Sequence, residues 1–226
     1  MLLNGFNLNK DLLPTNKRAG VIPYTVFQGR LFFLLGIDRK THEYTDFGGG
    51  CKNNETLLDG AWREFQEETC GVFSMFDKSC LISSIAVCNE SKDSAIFFLE
   101  VPPVLLDIAP PLFMNIQKEN SLNKKCLENI SIQWVDDEDF RDMAFKRSKL
   151  MWARINRFLN ENTEWDDLKM KIVLRRAITI PEKRGCYGVV TDSINYPYAC
   201  LSLSLSSLYE KYYMNRVKNN AIKSVS

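Results

Sequence analysis

The sequence predicts an α/β fold with a basic C-terminal extension. Segments rich in β-branched and aromatic residues predict strands. Between them lies a segment whose apolar residues recur every three to four positions, which predicts a helix. The composition, 45% hydrophobic and 25% charged residues in 226, is typical of a globular protein and excludes disordered and fibrous classes. We expect an arm at 1–17, a folded domain at 18–160 and the extension, helical in part, at 161–226.

Two strands at the start of the domain read as a hairpin. Ala19–Phe27 and Leu31–Asp38 are rich in strand-forming residues, and Gln28-Gly-Arg30 between them is a turn signal. Thr45–Gly50 follows a polar loop and ends in three glycines. Because glycine has no Cβ, we expect this run to turn tightly and to approach a ligand closely.

The clearest helix spans Thr56–Thr69. Its buried stripe repeats at helical spacing, and Gly71 follows as a C-terminal stop signal. The stripe consists of Leu58, Ala61, Trp62 and Phe65.

The second half of the chain predicts further strands and helices. A pair of prolines at 102–103 and another at 110–111 indicate a loop. The expected strands are Leu81–Val87, Ala95–Val101, Ile130–Val135 and a candidate at Lys171–Ile180; the expected helices are near Ser148–Leu159 and at Leu201–Val217.

Histidine and cysteine usage narrows the chemistry and the compartment. A single histidine, His42, excludes a multi-histidine metal site, and the absence of a C-x-x-C pair argues against zinc. Seven irregularly spaced cysteines favour free thiols in a reducing compartment over a disulfide framework. The chain shows no signal peptide and no membrane-spanning run, so we expect a cytoplasmic protein without a membrane partner.

Three carboxylates are grouped on the first helix. Glu64, Glu67 and Glu68 share a face at i, i+3 and i+4, opposite the apolar stripe. Clustered anions repel one another unless a cation neutralises them, and carboxylate oxygens are the ligands that Mg²⁺ and Mn²⁺ prefer. The spacing therefore predicts a site for a divalent ion that binds phosphate oxygens and activates water.

The joint spacing resembles the signature of the Nudix hydrolases, G-x5-E-x7-R-E-U-x-E-E-x-G-U, where U is bulky and apolar. Gly49, Glu55 and the run Arg63-Glu64-Phe65-Gln66-Glu67-Glu68 match it at every charged position. The chain departs from the pattern at its final glycine. Cys70 occupies that position, and the glycine comes one residue later, at Gly71.

The resemblance implies an α/β/α sandwich with a mixed sheet over about 18–160, and a hydrolase acting on phosphorus-containing anhydrides. It implies that Glu64, Glu67, Glu68 and a carbonyl of Gly48 or Gly49 bind Mg²⁺ or Mn²⁺. Gly49, Glu55 and Arg63 would have structural roles within this signature, here called the box, and Arg63 would fix the position of Glu64. The general base is left open between Glu64 or Glu67 inside the box and Glu128 outside it, with Glu119 further off; His42 is an additional candidate for contact with substrate.

The substrate class stays open at this point. The simplest is a nucleoside diphosphate linked to another group, in a nucleotide, dinucleoside polyphosphate or nucleotide sugar. The alternatives are mRNA decapping with release of methylated GDP, and a non-catalytic nucleotide-binding module.

The charge of the chain is unevenly distributed. The net charge is −6 over residues 1–168 and +7 over 169–226, and the two sum to the +1 of the whole chain. A basic extension of this kind could bind RNA. The segments 45–52 and 63–73 are also similar to Nudix proteins of large cytoplasmic DNA viruses, among which decapping enzymes occur. Oligomeric state is not predicted.

Overall fold

The computed structural model describes residues 2–4, 17–119, 124–146 and 149–179. The strands are β1 (Leu2–Asn4), β2 (Arg18–Phe27), β3 (Arg30–Asp38), β4 (Tyr44–Thr45), β5 (Phe47–Gly50), β6 (Ile85–Cys88), β7 (Ser94–Glu100) and β8 (Asn129–Asp136). The helices are α1 (Leu57–Glu68), α2 (Ser79–Ile82), α3 (Leu105–Glu119), α4 (Asp137–Phe145), α5 (Ala153–Asn162) and α6 (Trp165–Thr179), with a short 3₁₀ helix at Lys124–Leu127.

The strands form one mixed sheet. Along the main path the order is β1-β6-β7-β2-β3-β4, while β5 pairs with β2 and β8 pairs with β3. The pairing of β2 with β7 is parallel, and the β2–β3 hairpin is antiparallel, as expected from the turn signal at 28–30. The strand β5 lies antiparallel to the start of β2, which places its glycines opposite Arg18, Ala19 and Gly20.

Helices cover both faces of the sheet. Successive side chains of a strand point to opposite faces, and here both faces carry apolar side chains that pack against helices. On one face, Val21 and Leu34 pack with Phe65 of α1 and Phe113 of α3. On the other, the neighbouring strand residues pack against α4, α5 and α6; they include Ile22, Phe33 and Phe98. The predicted α/β class with a mixed sheet between helices is therefore confirmed.

Helix α1 begins and ends close to the predicted residues. The Thr56 side chain accepts a hydrogen bond from the Asp59 N–H, and the Asp59 carboxylate accepts in return from Thr56 N–H, which forms a capping box. After the helix both Cys70 and Gly71 adopt positive φ, 53° and 73°. The residue by which this chain exceeds the box pattern is therefore accommodated as a second left-handed residue in the turn.

Several predicted elements are corrected by the structure. Leu2–Asn4, expected to belong to an irregular arm, pairs with β6 as strand β1. The expected strand at Leu81–Val87 is divided, since α2 ends at Ile82 and β6 begins at Ile85. Pro110 and Pro111 lie inside α3 and not in a loop. The burial of Ile108, Ala109 and Phe113 on that helix outweighs the low helix propensity of proline.

The C-terminal part of the described chain is helical. Lys171–Ile180, expected as a candidate strand, belongs to α6 as far as Thr179. Leu168 and Ile172, one helical turn apart, are fully buried against the sheet. The predicted segment begins at Lys171 and so excludes Leu168, which hid the helical spacing of this pair. The expected helix at Leu201–Val217 lies outside the described residues.

Two further findings concern the described residues. None of their helices is long and apolar enough to cross a membrane. The five cysteines within them, at 51, 70, 80, 88 and 126, are free thiols.

Candidate active site

The glycines of β5 lie against the carboxylates of α1. A Cβ placed on Gly49 would lie 2.7 to 3.0 Å from the carboxylate atoms of Glu64, and one on Gly48 would lie 2.7 Å from the carbonyl oxygen of Ala19 in β2. The run forms an extended strand and not the tight turn expected from its composition. Glycine is required here because β5 is pressed between β2 and the Glu64 side chain.

Arg63 holds the acidic side chains of α1 and its preceding loop together. Its guanidinium donates to both Glu55 carboxylate oxygens at 2.7 and 3.0 Å, to Glu64 at 2.6 Å and to Glu67 at 3.3 Å. A further bond of 2.9 Å reaches the carbonyl oxygen of Gly50. The hydrogen bonds to Glu55 and Glu64 raise the pKa of Arg63, and the hydrogen bonds from Arg63 lower the pKa of Glu55.

Glu68 occupies a different environment from the one the helix spacing suggested. Its side chain does not lie on an open face with Glu64 and Glu67, because it is buried where the end of α1 meets β5. Its Oε2 accepts a 3.0 Å hydrogen bond from the Gly48 N–H. Burial raises the pKa of Glu68 well above its usual range, and the charges of Asp46, Glu128 and Glu64 raise it further, against a smaller opposing effect of Arg18.

An ion pair that sequence reasoning missed lies beneath Glu68. Arg18 donates to Asp46 Oδ2 at 2.9 Å and Oδ1 at 2.6 Å, and both side chains are buried. The same guanidinium donates to the carbonyl oxygen of Gly48 at 3.2 Å. A Cβ on Gly20 would collide with the Asp46 carboxylate. The available signal was a glycine in the middle of a strand-forming segment, which often marks a close approach by another group.

Glu128 and Glu68 line the same pocket. The pocket has a volume of about 280 Å³, and its wall includes Glu68, Gly48 and Glu128. Glu128 is exposed and directly precedes β8, whereas Glu119 lies at the end of α3 and does not line the pocket. His42 is exposed in the loop between β3 and β4.

The donor set is chemically suited to a hard divalent cation. Glu64, Glu67, Glu68 and the glycine carbonyls offer oxygen atoms only, as Mg²⁺ and Mn²⁺ prefer. Burial raises the pKa of Glu68, and the charges of Asp46, Glu128 and Glu64 raise it further, so a bound cation would stabilise its charged form. Within the described ranges no three His, Cys, Asp or Glu side chains are already gathered around one ion position. Arg63 and the Gly48 N–H instead hold the carboxylates individually.

The chain was compared with known proteins. No protein-family model matches it. A segment of 88 residues is 39% identical to an uncharacterized protein of Acanthamoeba polyphaga mimivirus, over 36% of this chain and 29% of that protein. The match thus spans less than a third of the mimivirus protein's length.

Similar solved structures have low sequence identity. The crystal structure of the C. elegans Ap4A hydrolase is 17% identical, covering 71% of this chain and 99% of that one, with a TM-score of 0.39. A mutT/nudix family protein from Listeria innocua is 16% identical, covering 72% and 99%, also with a TM-score of 0.39. A NUDIX hydrolase from Nitrosomonas europaea is 15% identical, covering 66% and 70%, with a TM-score of 0.33.

Proposed function

We propose that this chain is a divalent-metal-dependent pyrophosphohydrolase of the Nudix type, cleaving a diphosphate linkage in a nucleoside diphosphate joined to another group. One observation carries the proposal. Arg63 joins Glu55, Glu64 and Glu67 beside the glycines of β5, and Glu68 is bonded to the same strand. Every charged position of the sequence pattern therefore belongs to one cluster beside a pocket.

Each residue of the cluster has a distinct role in this proposal. Glu64, Glu67, Glu68 and the Gly49 carbonyl would hold Mg²⁺ or Mn²⁺, which when bound polarises phosphoryl oxygens and lowers the pKa of water. Arg63 fixes the direction of Glu64, and Glu55 fixes Arg63 through two hydrogen bonds. The Gly48 N–H keeps Glu68 directed at β5.

Glu128 is the general base that the geometry favours. A base must be able to reach the proton it removes, and Glu128 lines the same pocket as Glu68. Glu64 is less suited, because its carboxylate already accepts a 2.6 Å hydrogen bond from Arg63. Glu67 accepts from the same guanidinium at the longer distance of 3.3 Å.

The proposal is tested by incubating the full chain with Mg²⁺ or Mn²⁺ and a panel of nucleoside triphosphates, dinucleoside polyphosphates and nucleotide sugars. We expect cleavage that stops when the metal is chelated and falls at least tenfold in Glu67→Gln, because a neutral amide is a weaker ligand. The matched control is Glu161→Gln, an exposed glutamate on α5. Full turnover in Glu67→Gln would refute its role as a ligand. Nucleotide binding without turnover by the unaltered chain would favour a non-catalytic binding module.

Arg63→Lys tests the positioning role of the guanidinium. Lysine cannot reproduce the planar fork that contacts Glu55, Glu64 and the Gly50 carbonyl together. We expect cleavage to fall by about 10- to 100-fold, the range found for residues that orient metal ligands, with the metal concentration for half-maximal activity raised. Arg141→Lys, on the exposed face of α4, is the control. An unchanged metal requirement would argue against positioning.

Decapping of RNA is a second candidate, favoured by the +7 charge of residues 169–226. Of these basic side chains, Lys169 pairs with Asp137 and Lys171 donates to the Leu2 carbonyl oxygen. Cap-labelled RNA therefore belongs in the substrate panel. Release of methylated GDP, with an RNA affinity that declines steeply as salt rises, would favour this candidate over a small nucleotide.

A further inference from the structure

One buried side chain bridges the two ends of the short backbone run that carries Glu128. Gln117 of α3 is 8% exposed, and its Nε2 donates to the backbone carbonyl oxygens of Cys126 and Asn129, at 2.7 Å each. A side-chain amide nitrogen has two hydrogens, so these two bonds use its full donor capacity. The amide therefore fixes residues 126 and 129 relative to α3, with Glu128 between them.

Donors from two other segments bond the same run. Arg39, which follows β3, donates through Nε to the Leu127 carbonyl oxygen at 2.6 Å and through its backbone N–H to that of Glu128 at 2.9 Å. The Cys70 thiol, in the turn after α1, is a weak donor 3.4 Å from the Cys126 carbonyl oxygen. It stands where the box pattern has its final glycine. Four consecutive carbonyl oxygens, 126 to 129, are thus bonded to α3, to the end of β3 or to the end of α1.

This fixed backbone determines where the Glu128 carboxylate can reach. Glu128 is exposed, whereas Cys126 and Asn129 on either side of it are buried. An exposed glutamate can adopt several rotamers, so its carboxylate is placed only as accurately as the backbone that carries it. Glu128 and Asn129 both line the pocket that contains Glu68. A displacement of about 1 Å can cost about 100-fold in rate, so the position of this backbone matters to a reacting group.

We propose that Gln117 is a positioning residue for hydrolysis and acts through the backbone of residues 126–129 on the carboxylate of Glu128. The inference rests on the proposed function, in which Glu128 is the general base. Gln117 does not line the pocket, so its effect on the reaction passes through the residues that it bonds. Its loss therefore lowers kcat without changing the KM or the requirement for metal.

Gln117→Met in the full chain tests this role, because methionine has a similar length and lacks both donors. With Mg²⁺ and the best substrate of the panel, we expect kcat to fall about 10- to 100-fold. The KM and the Mg²⁺ concentration for half-maximal activity should change less than about twofold. Asn156→Leu is the matched control, since Asn156 is a buried amide that also bridges two carbonyl oxygens, those of Met143 and Ala144 at 2.8 and 3.1 Å. It should leave kcat unchanged.

A double-mutant cycle separates positioning from damage to the fold. Residues that act as a unit are not additive, so Gln117→Met should change kcat less than about twofold when Glu128→Gln is already present. An equal loss in both backgrounds would overturn the proposal, and so would an equal loss in Asn156→Leu. Full turnover in Glu128→Gln would also overturn it and would leave the hydrolase proposal intact.

Hydrogen exchange tests the clamped backbone without any turnover. Over residues 124–130 we expect faster exchange in Gln117→Met than in the unaltered chain or Asn156→Leu, and unchanged exchange would overturn the inference alone. If Gln117→Met does not fold, Arg39→Met enters the same cycle and the same exchange measurement. Arg39 is exposed, and this change removes the bond to Leu127. No hydrolysis of any substrate by the unaltered chain would refute the proposed function itself, and with it the role of Gln117.

Discussion

In Glu68→Gln, we expect hydrolysis to fall at least about 100-fold while the metal-free protein becomes more stable at neutral and alkaline pH. The loss of activity follows because glutamine removes a charged oxygen from the proposed metal site. Residues that merely orient ligands already account for about 10- to 100-fold. Glutamine has nearly the same shape, and its side-chain oxygen can still accept from the Gly48 N–H that now bonds Glu68. The fold should therefore be retained.

The gain in stability follows from the pKa of Glu68, which burial and then the charges of Asp46, Glu128 and Glu64 raise. A carboxyl group whose pKa is higher in the folded protein holds its proton after the unfolded chain has released it. Its contribution to stability is therefore complete below the unfolded pKa and is lost as pH rises through the folded value. Glutamine never ionises, so the variant does not lose this contribution.

Urea unfolding in the presence of a chelator, repeated between pH 5 and 9, measures this difference. The free energies of unfolding of the two proteins should diverge as pH rises, with the variant the more stable. Glu161→Gln should run parallel to the unaltered chain. A variant that is both less stable and less active would mean that Glu68 acts through the fold alone. Undiminished hydrolysis would remove Glu68 from the metal site.

The acidic cluster was predictable because it is local. Glu64, Glu67 and Glu68 lie within one turn of a helix whose apolar stripe and cap are visible in the sequence. Arg63 and Glu55 are only eight residues apart, so the pair observed at 2.7 Å needs no knowledge of the sheet. The burial of Glu68 could not be foreseen, since it depends on how closely β5 approaches the end of α1.

The features that the sequence did not reveal depend on contacts between distant segments. Arg18 and Asp46 are 28 residues apart and meet only because β5 pairs with the start of β2. Asn129 becomes a pocket residue only through the register of β8 against β3. In α3 the local signal was misleading, because tertiary packing keeps helical a segment that contains two prolines.

Asp46→Asn should cause the largest loss of stability, roughly 3–5 kcal/mol in the free energy of unfolding. Asparagine is close in size to aspartate and fits beside Gly20, but it leaves the buried Arg18 guanidinium without its counter-charge. The asparagine oxygen and the Gly48 carbonyl, now at 3.2 Å from the guanidinium, can still accept hydrogen bonds, but neither carries a formal charge. Urea unfolding at neutral pH measures the loss. Asp142→Asn is the control, because its ion pair with Lys146 is exposed and should contribute almost nothing.

A double variant separates the stability of this ion pair from its role at the site. In Arg18→Met with Asp46→Ala both charges are gone, and replacing a buried pair by apolar groups is often neutral. We expect most of the lost stability to return. Hydrolysis should not return. In the unaltered chain Arg18 donates to the Gly48 carbonyl oxygen, and the N–H of Gly48 donates to Glu68. Without Arg18 the position of Gly48, and through it that of Glu68, is no longer fixed. A double variant that regains both would show that the pair only stabilises the fold. A double variant that regains neither stability nor hydrolysis would show that the ion pair is needed for packing between β2 and β5. An uncompensated charge could not explain that result, because the double variant has none at these two positions.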